Sequence, residues 1–335
     1  MASFRKHFLP VIIFCVAACS DPSVSEVDYM ALEGQPVHLE TRPAEEFFTP
    51  SDMYCVGDDI FIISQNRQGN ILYRYGSGLD FKGSYLHYGR SGSEFFFVDR
   101  SPCRQNDSTL FLYTDNVEKT ELSIGPDTVT IASRRKIVPD LSNNVIELSP
   151  TRTFYRTLQE ERPFCIYETS SGEKRYFGKF PDSPISFQTD EDRDNVSLSV
   201  SVYCDSLGIL MSFYESLPVI EVYDMNTCEK ISETLLTGVR PQDATIDEFY
   251  EGDSVIYFMR PVVSGGKVYV QMVNATGNES LSGSVLLEVG WDGTVLNRYD
   301  LDRDCPIYTV SEDGVFYGLS IEDGNYLLCK KELPI

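Results

Sequence analysis

The stretch Thr309–Leu333, TVSEDGVFYGLSIEDGNYLLCKKEL, predicts three short β-strands joined by two tight turns. Glu312-Asp313-Gly314 and Glu322-Asp323-Gly324-Asn325 interrupt runs that are rich in β-branched and aromatic residues. An Asp-Gly pair between such runs is a strong hairpin signal, because glycine adopts the positive φ that a tight turn needs. Three strands of this size cannot bury a core by themselves. The stretch is therefore expected to be one copy of a repeated unit.

The same unit recurs along the chain with a period near 50 residues. Strands that follow a polar or glycine-containing turn are predicted to begin near six positions: Ile60, Leu110, Phe154, Ile209, Val268 and Val315. The intervals between them are 50, 44, 55, 59 and 47 residues. Short strands repeated at this spacing are typical of β-propeller blades, and six blades fit. A pair of β-sandwich domains is the alternative architecture.

The last unit supplies only three strands, whereas a propeller blade has four. Pro36–Thr41 alternates like a strand and is predicted to supply the fourth, so that Val37–Glu40 pairs with the C-terminal unit. Such closure removes the exposed strand edges of an open array. Residues 36–335 are therefore predicted to form an all-β, six-bladed β-propeller whose last blade is completed by the N-terminal strand.

The amino terminus has the features of a targeting signal. Arg5-Lys6-His7 is followed by the apolar run Phe8–Ala18, which is too short to cross a bilayer as a helix. Residues 1–18 are therefore predicted to be a cleaved signal peptide. Residues 19–35 are polar and lack periodicity, so they are predicted to be a tether.

Val16-Ala17-Ala18-Cys19 resembles the lipobox of bacterial lipoproteins. The resemblance implies that Cys19 receives a lipid and anchors the chain to a membrane of the bacterial cell envelope. A plain secretory cleavage next to an incidental cysteine is the alternative.

The charge balance is strongly acidic, with 51 Asp and Glu against 28 Lys and Arg. Such a surface repels phosphate backbones, so a nucleic-acid partner is not expected. The run Asp190–Asp194 is predicted to be a solvated loop between blades. Without residues 1–18 the chain keeps Cys19 and seven further cysteines, an odd number that cannot all pair internally.

Catalytic and metal-binding signatures are sparse. A zinc site is not predicted, because no C-x-x-C occurs and only His38 and His87 remain after the signal peptide. Serine or cysteine hydrolysis would depend on His87, and no G-x-S-x-G is present. The alternating acids of Asp300–Asp304 suggest calcium, but Cys305 and Ser311 stand where a calcium loop needs glycine and an acid. No cofactor is predicted, with calcium kept as the alternative.

Four residues are candidates for ligand binding. Arg90, Glu94 and Arg240 lie in segments that leave a blade, where propellers often present a binding surface. Trp291 stands in an Asp-Gly hairpin, where a tryptophan serves either to stack on a sugar ring or to pack between blades. Phe95-Phe96-Phe97 is predicted to belong to the core.

The lipobox, the repeats and the segment Tyr88–Phe95, YGRSGSEF, together resemble the TolB-like six-bladed β-propeller lipoproteins. In that family the corresponding segment is richer in glycine and proline, whereas Ser91 and Ser93 stand here. The resemblance implies the fold and the cell-envelope location, and it carries over no catalytic residue. The predicted function is a non-enzymatic scaffold that binds a protein, peptide or glycan. The alternative is a calcium-dependent propeller enzyme of the lactonase or glycan-cleaving type.

Overall fold

The computed structural model describes residues 22–44, 46, 49–65, 69–91, 94–98, 105–106, 109–114, 118–138 and 143–334. Within these ranges the chain forms six small sheets that surround a common axis. The prediction of a six-bladed β-propeller is therefore confirmed, and the alternative of two β-sandwich domains is wrong.

The strands and helices follow one another in a regular order. The N-terminal segment contributes β1 (Ser23–Asp28), a 3-10 helix (Tyr29–Ala31), β2 (Gly34–Val37) and β3 (Glu40–Ala44). Blade 1 contains β4 (Pro50–Val56), β5 (Asp59–Ser64), β6 (Asn70–Gly76), β7 (Phe81–Tyr88) and β8 (Glu94–Phe95). Blade 2 contains β9 (Gln105–Asn106), β10 (Thr109–Thr114), β11 (Glu118–Ile124) and β12 (Val129–Lys136). Blade 3 contains β13 (Asn143–Ser149), β14 (Arg152–Arg156), β15 (Phe164–Glu168) and β16 (Glu173–Phe177), and is followed by helix α1 (Asp190–Val196).

Blade 4 contains β17 (Ser199–Cys204), β18 (Ile209–Tyr214), β19 (Val219–Asp224) and β20 (Glu229–Thr237), and is followed by helix α2 (Ile246–Glu251). Blade 5 contains β21 (Val255–Ser264), β22 (Lys267–Thr276), β23 (Val285–Val289) and β24 (Val295–Leu301). Blade 6 contains β25 (Ile307–Val310), β26 (Val315–Glu322) and β27 (Asn325–Glu332), together with β3. Neither helix of the described chain is long and apolar enough to cross a membrane.

The six larger clusters of the apolar core form layers, one between each pair of neighbouring blades. Each blade is covered on both faces, so its central strands need apolar side chains at successive positions rather than at alternate ones. In β5 all six residues are buried, which accounts for the continuous run Ile60-Phe61-Ile62-Ile63. The first strands of the blades lie innermost, and most of them contact the first strand of the next blade.

Ring closure occurs between the two ends of the chain, as predicted, but with a different register. β3 pairs antiparallel with β27, from Glu40 opposite Lys330 to Ala44 opposite Tyr326. The closing strand therefore spans Glu40–Ala44 and not the predicted Pro36–Thr41. Val37 instead pairs with Leu301 of β24, in a parallel arrangement, and is 3% exposed in the layer between blades 5 and 6.

The predicted tether over residues 19–35 is wrong for most of its length. β1 pairs parallel with β20 at the outer edge of blade 4, and β2 pairs parallel with β24 at the outer edge of blade 5. Five of the six residues of β1 are exposed, because an outermost strand is held by its backbone and needs no apolar face. Its polar sequence therefore gave no strand pattern. Cys19 and the predicted signal peptide lie outside the described residues.

Polar side chains of one blade bind the turn between the third and fourth strands of the next. Among the described residues such clamps, each a donor to a backbone carbonyl, occur at four junctions between blades and include Arg74 to Gly125 and Pro126 (2.7 and 2.8 Å), Arg152 to Met225 (3.0 Å), Arg175 to Thr227 (2.5 Å), Ser232 to Asp292 (2.8 Å), Thr234 to Gly293 (3.0 Å) and Lys330 to Ser77 (2.8 Å). These carbonyls lie at the ends of hairpins, where no strand partner satisfies them. The clamps therefore fix the spacing of neighbouring blades.

Candidate binding site

The segment that leaves blade 1 folds back on the sheet as a compact loop. β8 runs parallel to the end of β7, with His87 opposite Glu94 and Tyr88 opposite Phe95. The loop is closed by a hydrogen bond from the Gly89 N–H to the Phe95 carbonyl (3.0 Å). A Cβ atom at Gly89 would lie 2.0 Å from Oε2 of Glu94. Glycine is therefore required for the Glu94 carboxylate to lie over the turn.

The carboxylate of Glu94 is oriented by the backbone of the same loop. Its Oε2 accepts a hydrogen bond of 2.9 Å from the Ser91 N–H. This bond lowers the pKa of Glu94 from its usual value. The loop therefore presents an ionised and positioned carboxylate at neutral pH.

Two arginines from different blades are stacked on adjacent phenylalanine rings. The guanidinium carbon of Arg90 lies 4.3 Å from the centre of the Phe96 ring, and that of Arg134, in β12, lies 4.5 Å from the centre of the Phe95 ring. Arg134 also donates to the Glu94 carbonyl (3.2 Å). Stacking of this kind holds the plane of a guanidinium and leaves N–H groups at its edge for hydrogen bonds.

These groups surround an open cavity of about 460 Å³, lined by Gly89, Arg90, Ser91, Glu94, Phe96, Glu118 and Arg134. The volume lies within the range of small-molecule sites. Within the part of the chain that the structure describes, neither Arg90 nor Arg134 has a carboxylate within ion-pair distance, and Nε of Arg134 is buried without an acceptor. Both cations are therefore available to a ligand that carries oxygen acceptors.

Arg90 and Glu94 are thus brought together, but Arg240 is not. Arg240 lies after blade 4 and does not line the cavity; its Nη1 pairs with Oε1 of Glu279 at 2.5 Å. Its backbone N–H donates to Asn274 (2.9 Å), and its carbonyl accepts from the Tyr257 hydroxyl (2.7 Å). The hydrogen bond that Arg240 donates to Glu279 raises the pKa of Arg240. Arg240 therefore braces its own segment against blade 5.

Trp291, the fourth candidate, does not line the cavity and lies in the core instead. It lies in the turn between β23 and β24 and is 8% exposed, within the core layer between blades 4 and 5. Since strand direction alternates within a blade, this turn lies on the face opposite to the segments that leave the blades. The indole fills space between blades, which is the alternative that the sequence left open.

The acids of residues 300–304 have separate structural partners. Asp300 accepts from Nε of Arg298 (2.8 Å), Asp302 from the Leu39 N–H (3.1 Å) and Asp304 from the Ser284 hydroxyl (2.8 Å). Over the described ranges, no three His, Cys, Asp or Glu side chains are grouped closely enough to hold a metal ion. The bond to Leu39 places Asp302 at the crossing of the N-terminal segment from blade 5 to blade 6.

Sequence reasoning missed Phe96, Glu118 and Arg134. Phe95 is 3% exposed and belongs to the core as predicted, whereas Phe96 and Phe97 are 44% and 45% exposed. Three consecutive residues of an extended segment cannot all point to one side, so the sequence itself indicates that at least one of these phenylalanines lies outside the core. Arg134 and Glu118 come from the next blade, so no local pattern links them to Arg90.

Comparisons with known proteins show a shared fold at low sequence identity. No protein-family profile and no curated protein sequence matches the chain. A solved structure of the DUF4221 family from Bacteroides vulgatus aligns with a TM-score of 0.55 at 10% identity, over 88% of this chain and 97% of that one. A protein of Bacteroides fragilis named as a candidate exported protein aligns with a TM-score of 0.55 at 9% identity, over 94% and 100% of the two chains. The structure of U3-55K aligns with a TM-score of 0.50 at 8% identity, over 88% and 98%. These similarities support the propeller fold, and the TolB-like resemblance stays a prediction.

Proposed function

We propose that the protein is a lipid-anchored scaffold of the bacterial cell envelope that binds a ligand at the cavity between blades 1 and 2. The observation that carries the proposal is the convergence of Arg90, Glu94, Phe96 and Arg134 on one open cavity. Two of these residues come from the loop that leaves blade 1, Phe96 follows it, and Arg134 comes from the outer strand of blade 2. Loops held by a rigid scaffold are where binding groups are commonly placed.

The chemistry of the cavity suits a glycan or a peptide. The Phe96 ring is 44% exposed and offers a flat apolar surface, on which the C–H face of a sugar or an apolar side chain can pack. The two guanidiniums supply donors in a fixed plane, and the ionised Glu94 carboxylate supplies an acceptor. A ligand with both hydroxyl or amide groups and an apolar face uses all of them.

The experiment begins with detergent-solubilised full-length protein on glycan and peptide arrays, followed by calorimetric titration of the strongest ligand. Arg90→Ala and Phe96→Ala are each expected to weaken binding about tenfold, since central aromatic and arginine contacts commonly contribute more than about 1 kcal/mol. Arg240→Ala is the matched control, because this arginine also follows a blade but is paired with Glu279. Binding that survives both cavity variants, or that is lost only in Arg240→Ala, would contradict the proposal.

The lipid anchor at Cys19 is supported by the lipobox, and export of the chain by the shared fold with the candidate exported protein of Bacteroides fragilis. Cells fed an alkyne-tagged fatty acid are expected to label the wild-type chain and not Cys19→Ser. Cys204→Ser is the matched control, because Cys204 is half-buried within blade 4. A label that persists in Cys19→Ser, or that is absent from the wild type, would refute the anchor.

A further inference from the structure

Two buried cysteines share the core layer between blades 5 and 6. Cys305 precedes the innermost strand of blade 6, and Cys329 lies in its third strand, β27. They are 1% and 0% exposed. The intervening strand, β26, contributes Gly318, which stands opposite Cys329 in the pairing register.

The two cysteine side chains come together at this glycine. A Cβ atom on Gly318 would lie 2.8 Å from Cε1 of Phe316 and 3.0 Å from Cβ of Cys305, so a larger residue would have to displace the Phe316 ring and the Cys305 side chain. The Cys305 thiol hydrogen-bonds to that of Cys329, whose Sγ in turn lies 3.6 Å from the Leu327 carbonyl. The bond from Cys305 lowers the pKa of Cys329, and the same bond, together with burial, raises the pKa of Cys305.

The remaining thiols of the described chain are separated from one another. Cys55, Cys165, Cys204 and Cys228 lie in four different interblade layers: between blades 6 and 1, 2 and 3, 4 and 5, and 3 and 4. Each layer is closed off by a sheet, so none of these four can reach another. Cys305 and Cys329 are therefore the two thiols that the fold brings together among the described residues.

We propose that Cys305 and Cys329 form a disulfide in the exported protein. The inference rests on the proposed export, because disulfides persist in oxidising compartments and not in the cytosol. One cysteine thiolate attacks the disulfide of an exported thiol oxidase and releases one of its thiols. The other cysteine then attacks the mixed disulfide and releases the second, so both electrons and both protons end on the oxidase. Since both sulfurs are buried in the folded state, the exchange occurs before blade 6 closes.

The cross-link would join the segment that leads into the first strand to the third strand of the blade that closes the ring. It encloses residues 305 through 329, or 25 residues. Loss of a disulfide that closes a loop of this length is expected to lower Tm by about 5 °C in a chain of this size.

A single peptide reports the bond. Trypsin cleaves after Arg303 and Lys330 and at no position between them, so one peptide, residues 304–330, contains both cysteines. Full-length protein from the cell envelope is denatured and alkylated without reductant, then digested. The peptide is expected to be two hydrogen atoms lighter than its dithiol form and to carry no alkyl group, while the Cys55 peptide is alkylated. Reductant is expected to lower Tm by about 5 °C in the wild type and to leave Cys305→Ser unchanged.

A second arm separates the geometry from the export. Reduced protein is refolded with oxidised glutathione, and Gly318→Ala is expected to lose most of the cross-linked fraction that the wild type forms. Alkylation of both cysteines in the refolded wild type would overturn the proposed pair. A cross-link that forms on refolding but is absent from protein isolated from cells would overturn the proposed export, on which the inference rests.

Discussion

Replacement of Arg74 by methionine tests how the blades are held together. The Arg74 side chain is 7% exposed, and its Nε donates to Oδ2 of Asp59 at 2.6 Å. Its Nη1 is the donor of the clamp to Gly125 and Pro126, at 2.7 and 2.8 Å. Methionine fills a similar volume but leaves both carbonyls of blade 2 without this donor. It also leaves the carboxylate of Asp59, 9% exposed, with Lys82 as its remaining cationic partner among the described residues.

The expected cost follows from these contacts. Removing one partner of a buried ion pair costs about 3–5 kcal/mol. Lys82 lies 2.5 Å from Oδ1 of Asp59 and offsets part of this, although its side chain is 40% exposed. We therefore expect Arg74→Met to lower the free energy of unfolding by about 3 kcal/mol. With an unfolding entropy of about 2.1 cal/mol/K for each of roughly 300 folded residues, Tm should fall by about 5 °C.

Urea denaturation followed by circular dichroism measures this cost, and two comparisons interpret it. The double variant Asp59→Asn/Arg74→Met should lose less than the sum of its single variants, because it leaves no unpaired buried charge. Arg152→Met is the matched control, since Arg152 clamps Met225 at 3.0 Å and has no buried acid partner among the described residues; this variant should cost about 1 kcal/mol. A loss for Arg74→Met no larger than that for Arg152→Met would refute the reasoning.

Three further variants test other features. Trp291→Ala should cost about 3–5 kcal/mol in urea denaturation, because it empties the layer between blades 4 and 5; a loss below about 1 kcal/mol would contradict this packing. Asp304→Asn should raise Tm at pH 7. Burial raises the pKa of Asp304, so the ionised carboxylate destabilises the folded state once the pH exceeds the pKa of the unfolded chain, about 3.9. Calorimetry should therefore show a gain in Tm at pH 7 and no gain at pH 3. Gly293→Ala should cost about 1–2 kcal/mol, since φ is +88° and its Cβ would lie 3.0 Å from the Thr234 hydroxyl; an unchanged urea midpoint would contradict this.

The repeat could be predicted because its signals are local. Gly314 and Gly324, whose turns suggested the first hairpins, have φ of +79° and +80°. The need for a closing strand followed from counting, since the last unit lacked one. The pairing register of this segment could not be predicted, because the alternating pattern around Pro36 and Val37 is the same whichever outer strand the segment pairs with. Backbone hydrogen bonds do not depend on side-chain identity, so a polar or ambiguous segment does not reveal its partner.

The sequence at the start of helix α1 contains a helix-capping signal, but the acidic charge of the segment favoured the prediction of a loop. Thr189 caps it: the Thr189 hydroxyl accepts from the Asp192 N–H (3.1 Å), and the Asp192 carboxylate accepts from the Thr189 N–H (3.1 Å). The run Asp190–Asp194 was predicted to be a solvated loop, yet three acids in the first turn favour a helix. Asp194 is 3% exposed, because its helix lies against the Arg156 guanidinium.

Half of the candidate site could be predicted from the sequence, because its residues are close together along the chain. Arg90 and Glu94 lie in one short loop, so a local argument placed them together. Arg134 is 40 residues from Glu94 and reaches its carbonyl only because blades 1 and 2 are adjacent. A contact of this kind depends on the spacing of whole blades, which single residues do not encode.

The course of the N-terminal segment has a mechanical consequence. It runs along the outer edges of three successive blades, as β1 on blade 4, β2 on blade 5 and β3 on blade 6. A force applied at the amino terminus, as on an anchored protein, acts on these strands in chain order. β1 and β2 must both detach before the load reaches β3, whose removal would open the ring. β1 and β2 therefore protect the pairing of β3 with β27, which closes the ring, from a force applied at the amino terminus.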